Sequence, residues 1–369
     1  MTTRPQQACG DTIGVLVQGV ALNLHCPHAP LRDYAKGMLR GQVRAPWPRP
    51  DLDVSAIWST PASDDDAARP VFDVTGLESF GKRMHVGPDQ VVWTDTHRDR
   101  HLQLRFRRQG SQAGFDVAYQ FRPSAKKLAK WSDYEHKKYF DLLRYLVWFP
   151  IAWHLRRTRG LGLIHAAAAS NGHGAVLIAG PGGAGKTTTG LALAARGMTL
   201  LSENLALTDG HHVYPVAEPI RLTDESLRLL GDAASTLEPL AAADCLEKKT
   251  MFAAPAGPEP LPVRAAALFL ARFSPRGAVR PLPPAAAYDL VRATNTLTLE
   301  LNDFDWYAAG LDLLWPGEQH AGEDPLRRLT RDTPCFVLAI DRAAGVSAVV
   351  DQIQDCMRGL EPVLARRAP

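Results

Sequence analysis

Cysteine is scarce in this chain, and the few cysteines present are scattered. An odd number of widely separated thiols matches neither a disulfide framework nor a zinc-binding pattern. We therefore expect a protein of the reducing cytoplasm. The five cysteines among the 369 residues are Cys9, Cys26, Cys245, Cys335 and Cys356.

Long apolar runs are missing as well. The first apolar stretch, residues 13–24, is interrupted by Gln18 and Asn23 and has only Arg4 ahead of it, so it does not have the form of a secretory signal peptide. No stretch reaches the roughly 18 consecutive apolar residues that a membrane span needs. We expect a soluble protein without a membrane partner.

Neither sign of charge dominates. The 42 lysines and arginines nearly balance the 39 aspartates and glutamates, and the net charge of +3 is too small to indicate a nucleic-acid partner. Arg105, Arg107 and Arg108 do cluster, and we expect them on the solvated face of a strand. The composition is that of a globular protein, and the length suits two domains.

The strongest motif is GPGGAGKT at residues 180–187, which has the form of a phosphate-binding P-loop. Glycines let backbone N–H groups surround a polyphosphate, because no Cβ blocks the approach. Lys186 would reach the β- and γ-phosphates of ATP, and the Thr187 hydroxyl would bind Mg²⁺. A buried strand is predicted at 176–179 and a helix at 188–196, whose N-terminus favours an anion. The predicted nucleotide-binding residues are Gly180, Pro181, Gly182, Gly183, Ala184, Gly185, Lys186, Thr187 and Thr188.

Residues 1–125 have the pattern of a β-rich (α+β) accessory domain. Turn residues separate short alternating segments, and no catalytic spacing occurs among them. Residues 63–66 are expected to form an exposed loop. The predicted elements are strands at 54–58, 71–74, 91–94, 102–106 and 115–121, a strand within 12–24 and a short helix at 31–39.

Residues 126–160 are predicted to form a basic connector and a helix, and residues 161–369 an α/β nucleotide-binding domain. The helix is expected at 132–157, with Ser132 as N-cap and Glu135 completing a capping box. The elements predicted after it are strands at 163–169, 175–179, 198–201, 265–273 and 334–340, a hairpin at 205–214, and helices at 223–230, 285–297 and 346–358.

Several segments in a fixed order resemble a known family. They are HAAA at 165–168, the hairpin that leads into GPGGAGKT, LALAARG at 191–197 and LLSEN at 200–204. This order is similar to the core of HPr kinase/phosphorylase and its relatives, which resemble phosphoenolpyruvate carboxykinase in fold. The resemblance is clear over 161–225, faint from there to 345, and absent from 1–125. It implies an α/β fold with a P-loop kinase core of this type after the β-rich domain.

The resemblance also implies roles for residues around the loop. In the family an acidic pair holds Mg²⁺ and accepts the hydroxyl proton of the phosphate acceptor; here the pair is Glu203 and Asn204. Because an amide cannot take up a proton, Glu203 is left as the base, with Thr187, Glu203 and Asn204 around the metal. His165 either orients Glu203 and shares the proton, with a pKa near neutrality, or is a core histidine bonded to backbone.

A second departure concerns the acceptor. The HPr-specific signature of the family is missing, and EPIR at 218–221 is its nearest analogue. Its absence argues against HPr itself as the acceptor. Glu218 and Arg221 are candidate substrate residues: Arg221 would clamp a phosphate or carboxylate, or else pair at the surface with Glu218 or Asp224. Lys248 and Lys249 either add charge near the phosphates or form a solvated pair, and we expect the solvated pair.

Taken with the resemblance, the sequence predicts an Mg²⁺-ATP-dependent kinase that phosphorylates a hydroxyl of a peptide, a protein serine or a small molecule. Lys186, Glu203 and His165 would be its catalytic residues. Two alternatives stay open: an ATP-binding regulator without catalysis, which Asn204 motivates, and an ATPase that assists a biosynthetic assembly. Since members of the family are often oligomers, the resemblance implies a homo-oligomer.

Overall fold

The chain folds into two units of mixed α/β structure. A computed structural model describes residues 10–96, 99–110, 112–131, 133–240, 249–254, 261–316 and 322–365. Within these residues, unit 1 comprises 10–157 and 303–316, and unit 2 comprises the remainder. The sequence had grouped 303–316 with the C-terminal residues. None of the described helices is long and apolar enough to cross a bilayer.

Unit 1 is built on a large sheet. Its strands are β1 (Thr12–Val17), β2 (Val20–His25), β3 (Val43–Arg44), β4 (Leu52–Ser59), β5 (Glu78–Phe80), β6 (Met84–Val86), β7 (Gln90–Trp93), β8 (Leu102–Gln109) and β9 (Gln112–Gln120). They lie in the order β3-β1-β2-β4-β9-β8-β7-β6-β5. The neighbours β2, β4 and β9 run parallel, and the other pairs are antiparallel.

Helices accompany this sheet. They are α1 (Ala29–Met38), α2 (Asp64–Ala68), α3 (Ala125–Lys130), α4 (Tyr134–Leu143), α5 (Phe149–Arg159) and, from residue 303 onward, α9 (Leu299–Asp312). The predicted strands at 54–58, 91–94, 102–106 and 115–121 and the helix at 31–39 are confirmed. The segment 12–24 contains two strands rather than one, because Gln18 and Gly19 both have positive φ and form a tight hairpin turn.

Two short segments of unit 1 differ from their predicted structure. Residues 71–74 form no strand, since the Asp73 side chain accepts a hydrogen bond from the Thr75 N–H (2.9 Å) and turns the chain locally. Residues 63–66 are not a loop but the start of α2, because the Ser63 hydroxyl accepts from the Asp66 N–H (3.1 Å) and caps the helix.

The helix predicted at 132–157 is interrupted. A π-helical segment, Arg144–Trp148, separates α4 from α5. Pro150 lies in the first turn of α5 and has no N–H to donate to the preceding turn, which accounts for the wider turn before it. Ser132 lies outside the described residues. The observed N-cap, Asp133, makes no side-chain capping bond, so the helix begins at Tyr134 without one.

The predicted solvated arginine face is wrong for all three members: Arg108 is half-buried and donates to the Leu314 carbonyl oxygen at 2.9 Å, and the other two pair with a buried carboxylate. Asp116 on β9 is buried, and its carboxylate accepts from Nε of both Arg105 and Arg107 at 2.7 Å, and from Arg107 Nη2 at 3.0 Å. Alternation of polar residues along β8 shows which residues share a face but not whether a buried anion lies opposite.

Asp116 should therefore stabilise unit 1 strongly. In Asp116→Ala two half-buried guanidiniums lose their counterion, and we expect the free energy of unfolding to fall by about 2–3 kcal/mol. Urea unfolding measures this change. The control is Asp33→Ala, which breaks an exposed pair with Lys36 (3.5 Å) and should cost less than about 0.5 kcal/mol. Equal losses in the two variants would contradict a structural role for Asp116.

Unit 2 contains a sheet with helices on both of its faces. Its strands are β10 (Gly162–Ser170), β11 (Ala175–Ala179), β12 (Thr199–Ser202), β13 (Leu205–Thr208), β14 (His212–Tyr214), β15 (Ile220–Thr223), β16 (Lys249–Phe252), β17 (Val263–Phe273), β18 (Ala278–Pro281) and β19 (Cys335–Ile340). Its helices are α6 (Lys186–Ala195), α7 (Asp224–Leu230), α8 (Pro284–Leu297), α10 (Pro325–Asp332) and α11 (Gly345–Ala365). The strands and helices predicted in this region are confirmed, whereas β15, β16, β18, α9 and α10 were not anticipated.

The sheet of unit 2 has a parallel centre. β11, β17 and β19 run parallel to one another, and β10 is antiparallel to β11. Val176 and Ile178 of β11 face the core that also contains residues of α6 and α11, while Leu177 faces the core that contains residues of α8. Alternate side chains thus fill two separate cores, as in layered α/β structures. β15 and β16 form a separate two-stranded ribbon.

Candidate active site

Strand β10 brings the candidate residues together because its pairing changes in the middle. His165 pairs with Leu205 at the start of β13, whereas the next residue, Ala166, pairs with Ala179 at the end of β11. Further along β10, Ala168 pairs with Ser202 at the end of β12. Three chain segments therefore start or end at one point of the strand.

The consequence is a site assembled by backbone register. The glycine-rich loop 180–187 leaves β11 at this point, and Glu203 and Asn204 join β12 to β13 beside it. His165 lies between them on β10. The sequence had predicted the hairpin, the loop and the next strand separately, and their pairing places all three groups of residues next to one another.

Three glycines of the loop, Gly180, Gly183 and Gly185, have positive φ. Gly180 has φ of +155°, and a Cβ there would lie 2.8 Å from the carbonyl oxygen of Ala271 on β17. Gly185 has φ of +85° and is the N-cap of α6. Left-handed backbone and close approach both favour glycine, so the loop turns sharply into the helix.

Lys186 is buried at the start of α6. Its Nζ donates to the carbonyl oxygens of Gly180 (2.9 Å) and Pro181 (3.0 Å), so the ammonium lies against the loop. Burial lowers the pKa of Lys186 to about 8, and the nearby carboxylates of Glu203 and Glu300 oppose the shift. The ammonium is thus a charge held in a poorly solvated position.

Glu203 is fully enclosed next to it. Oε2 accepts from the Thr187 hydroxyl at 2.8 Å, and the side chain is buried. Burial raises the pKa of Glu203 despite the attraction of Arg221, Lys249 and Lys186. For Glu203 and Lys186 alike, loss of solvation outweighs their mutual attraction, so both charged forms are destabilised.

His165 is neutral in this setting. Thr298 donates its hydroxyl proton to the Thr294 carbonyl oxygen (2.9 Å), so it accepts from Nδ1–H of His165. Burial and Lys186 lower the pKa of His165 to about 4, against the effects of Glu300 and of a hydrogen bond with Asn204. The prediction of a His165 pKa near neutrality is wrong. The alternative, a core histidine whose ring bonds to backbone, is wrong as well, because the ring bonds to the side chains of Thr298 and Asn204. Nε2 is left as the basic nitrogen.

Helix α8 fixes the position of β10 at this histidine. The Asn295 side chain accepts from the His165 N–H and donates to the Leu163 carbonyl oxygen, both at 3.0 Å. An amide that bonds to both backbone groups of a strand acts as an additional strand edge. The ring of His165 is therefore positioned from both sides of its backbone.

Asn204 contacts both His165 and Glu218. Its side chain hydrogen-bonds with His165, and its Nδ2 donates to Glu218 Oε2 at 3.3 Å. The contact with Glu218 uses the amide as a donor, which a carboxylate at the same position could not provide. Glu218 therefore lies beside Asn204, and its role as a substrate residue stays a prediction.

Arg221 has a partner that the sequence did not indicate. Its guanidinium lies 3.7 Å from Glu300, and both side chains are largely buried. Arg221 shares one face of the ribbon β15–β16 with Lys249, because Arg221 pairs with Met251 and Lys249 with Thr223. Lys249 is half-buried and acts on both Glu203 and Lys186, so the expectation of a solvated side chain is wrong for it.

The hydroxyl of Thr188, a predicted nucleotide-binding residue, makes a contact outside the loop and the site. It donates to Ser226 on α7 at 3.2 Å, and the side chain is buried. Its observed contact joins two helices.

Three residues of the site were missed: Asn295, Thr298 and Glu300 around the junction of α8 and α9. They lie far along the chain from the loop and have no motif of their own. The paired lysines at 248–249 did raise the alternative of charge near the phosphates, but the sequence favoured a solvated pair, because charge alone did not indicate burial.

The donor set around Thr187 fits a small divalent cation. Among the described residues no cluster of three or more His, Cys, Asp and Glu side chains could hold a metal by itself. Mg²⁺ needs fewer protein ligands, since it commonly binds one or two oxygen groups and completes its octahedron with water and substrate phosphates. The Thr187 hydroxyl and the Glu203 carboxylate, 2.8 Å apart, supply such a pair.

No protein-family model matches this chain, and a search of the curated proteins finds no match. What the chain does has to be inferred from the geometry of the residues themselves.

Proposed function

We propose that this protein is an Mg²⁺-ATP-dependent phosphotransferase that transfers the γ-phosphate to a hydroxyl of a peptide, protein or small molecule. The observation that carries the proposal is the contact between Thr187 and the buried Glu203, directly beside the Lys186 ammonium. A lysine and a hydroxyl at the start of one helix, with a carboxylate from the end of a neighbouring strand beside them, are the groups that phosphoryl transfer requires.

We also propose that unit 2 is a P-loop core of the HPr kinase type. The order of hairpin, glycine-rich loop, helix and acidic strand end supports this assignment. HPr itself is not the proposed acceptor, because EPIR at 218–221 departs from the family signature. The charged residues Arg221 and Glu218 would instead meet an acceptor of different chemistry.

Each residue has a role that follows from its position. Lys186 and the loop N–H groups hold the phosphates. Thr187 and Glu203 would hold Mg²⁺, with Asn204 as a further oxygen donor; the bound ion would neutralise charge on the phosphates. The Glu203 carboxylate accepts the proton of the acceptor hydroxyl. His165 bonds to Asn204 through Nε2 and positions that amide. It does not share the proton, because its pKa is lowered to about 4.

The direct test follows the γ-phosphate of labelled ATP. The protein, Mg²⁺ and an extract of the source cells are incubated, with Lys186→Met as the blank. We expect label on a new phosphoester species, resistant to apyrase, and none with the variant. Label released only as inorganic phosphate would indicate an ATPase, and label that stays on ATP would contradict the proposed transfer.

Asn204 favours a second candidate, an ATP-binding regulator without catalysis. An amide stands where the resembled family has a carboxylate, and Glu218 holds it. In that case ATP would bind but no label would move, and Asn204→Asp would introduce transfer. A natural chain that transfers phosphate excludes this candidate.

The pKa of Lys186 predicts how ATP binding depends on pH. Lys186 attracts the phosphates in its charged ammonium form but not as a neutral amine. Because its pKa is about 8, this charge is lost as the pH rises through 8. We expect the Kd for ATP to rise about tenfold between pH 7 and pH 9. Isothermal titration calorimetry at intermediate pH values measures the change. Lys186→Met is the control and should bind weakly at every pH. A flat profile for the natural chain would contradict the prediction.

A further inference from the structure

Unit 1 contains a cavity at the carboxyl ends of its parallel strands. The cavity has a volume of about 950 Å³. Thr60, Pro61 and Asp64 line it directly after β4, and residues 121–125 line it directly after β9. β4 and β9 run parallel and end together, with Ser59 opposite Gln120. In α/β sheets, ligands bind outside the carboxyl ends of parallel strands.

Positive charge is in excess on the cavity wall. The ionised groups are four cations, Arg100, Arg122, Lys127 and Lys138, against two carboxylates, Asp64 and Asp99. Both carboxylates have cationic partners: Arg122 donates to Asp64, and Lys138 donates to Asp99 at 2.6 Å.

Asp99 has little capacity left for a ligand. Oδ2 also accepts from the Tyr119 hydroxyl (3.2 Å), and Oδ1 accepts from the His101 N–H (3.1 Å). These bonds and the Lys138 ammonium keep the pKa of Asp99 below its ordinary value despite burial. Asp99 therefore holds Lys138 in place rather than neutralising the rest of the cavity.

Arg100 and Lys127 supply the remaining charge. Neither forms an ion pair with any other residue that the structure describes, and both are exposed. Arg100 uses Nε to donate to His101 Nε2 at 3.3 Å, and Lys127 lies over the ring of Tyr134. Both side chains line the cavity with their terminal nitrogens available to an acceptor.

His101 adds a buried nitrogen without a partner. Nε2 accepts from Arg100, so the neutral ring carries its proton on Nδ1, which makes no hydrogen bond within the described part of the chain. A buried donor without an acceptor is uncommon, but this nitrogen is shielded from solvent and does not face the cavity. Phe121, Pro123 and the exposed Leu128 provide apolar surface in the same cavity.

We propose that this cavity binds a small organic anion, a carboxylate or phosphate attached to an apolar body. Arg100 and Lys127 bind the anionic group, and Phe121, Pro123 and Leu128 contact the apolar part. The volume lies within the range of small-molecule sites, roughly 300–1,000 Å³. The site is separate from the glycine-rich loop and does not depend on the proposed phosphotransferase activity.

Phenyl phosphate and benzoate are suitable probes, with benzyl alcohol as the neutral analogue. Isothermal titration calorimetry of the full chain should give a Kd below about 1 mM for at least one of the anions. The same titrations are repeated on Lys186→Met, in which the loop has lost its ammonium. We expect binding to persist in that variant, because the cavity does not include Lys186.

The double variant Arg100→Gln/Lys127→Gln should weaken binding of the anion at least tenfold. The matched control is Lys126→Gln/Lys130→Gln. It removes two charges from α3, the helix of Lys127, at residues that do not line the cavity, and should change Kd less than twofold. Four results would each overturn the proposal. The first is no binding of either probe at 10 mM, about ten times the highest expected Kd. The others are equal weakening in both double variants, equally tight binding of benzyl alcohol, and loss of binding only in Lys186→Met.

Discussion

Lys186→Met should reduce the kcat/KM of phosphate transfer by about 10²–10³-fold and leave the fold intact. The ammonium is the group of the loop that carries a full charge, and methionine retains a similar length without it. In a poorly solvated site each charge on the phosphates counts for more than it would in water. Steady-state kinetics with ATP as the varied substrate measures the loss.

The stability of the same variant separates this role from a structural one. Because the folded-state pKa of Lys186 is lowered to about 8, the native state binds fewer protons than the unfolded state between pH 8 and pH 10.5, so the penalty for burying this charge is present at pH 7 and is relieved as the pH rises. We therefore expect Lys186→Met to unfold at no lower temperature than the natural chain at pH 7.

Two other lysines serve as matched controls for this substitution. Lys249→Met removes a cation that acts on Glu203 and Lys186 from the ribbon and should lower activity only about tenfold. Lys36→Met removes an exposed lysine of α1 and should change nothing measurable. A Lys186 variant with lost activity and a lost melting transition would contradict the assignment.

The loop itself was predictable from the sequence because its information is local. The glycines, the lysine and the hydroxyl residue lie within eight consecutive residues. The strand before them and the helix after them have their own hydrophobic patterns. The confirmed strands β10 and β11 and the helix α6 follow from these patterns. The hairpin that leads into the loop then indicated that β10 pairs with β11.

The rest of the site depends on contacts between distant parts of the chain. Nothing about Glu300 at the start of α9 indicates that Arg221 of the ribbon will pair with it. The pKa of His165 could not be predicted either, since it depends on burial and on Lys186 rather than on its neighbours in sequence. In unit 1 the same limit applied to Asp116, whose burial reversed the expectation for two arginines.

Glu203→Gln should be the most damaging conservative change at the site. Glutamine has the same shape and can still accept the hydrogen bond of Thr187, but it cannot take up a proton. We expect kcat to fall by about 10²–10⁴-fold, the range typical of a lost general base, while the Kd for ATP without Mg²⁺ changes less than about threefold. Single-turnover transfer and a separate binding titration distinguish the two quantities.

The pH–rate profile tests whether the base is Glu203 or His165. Only an ionised Glu203 accepts a proton, so the acid limb of the profile should disappear in Glu203→Gln. A limb that belonged to His165 would remain in that variant. The control Glu300→Gln changes a carboxylate that pairs with Arg221 and should retain the limb. A Glu203→Gln variant within about tenfold of natural activity would rule out Glu203 as the base, because loss of a general base costs at least about 10²-fold.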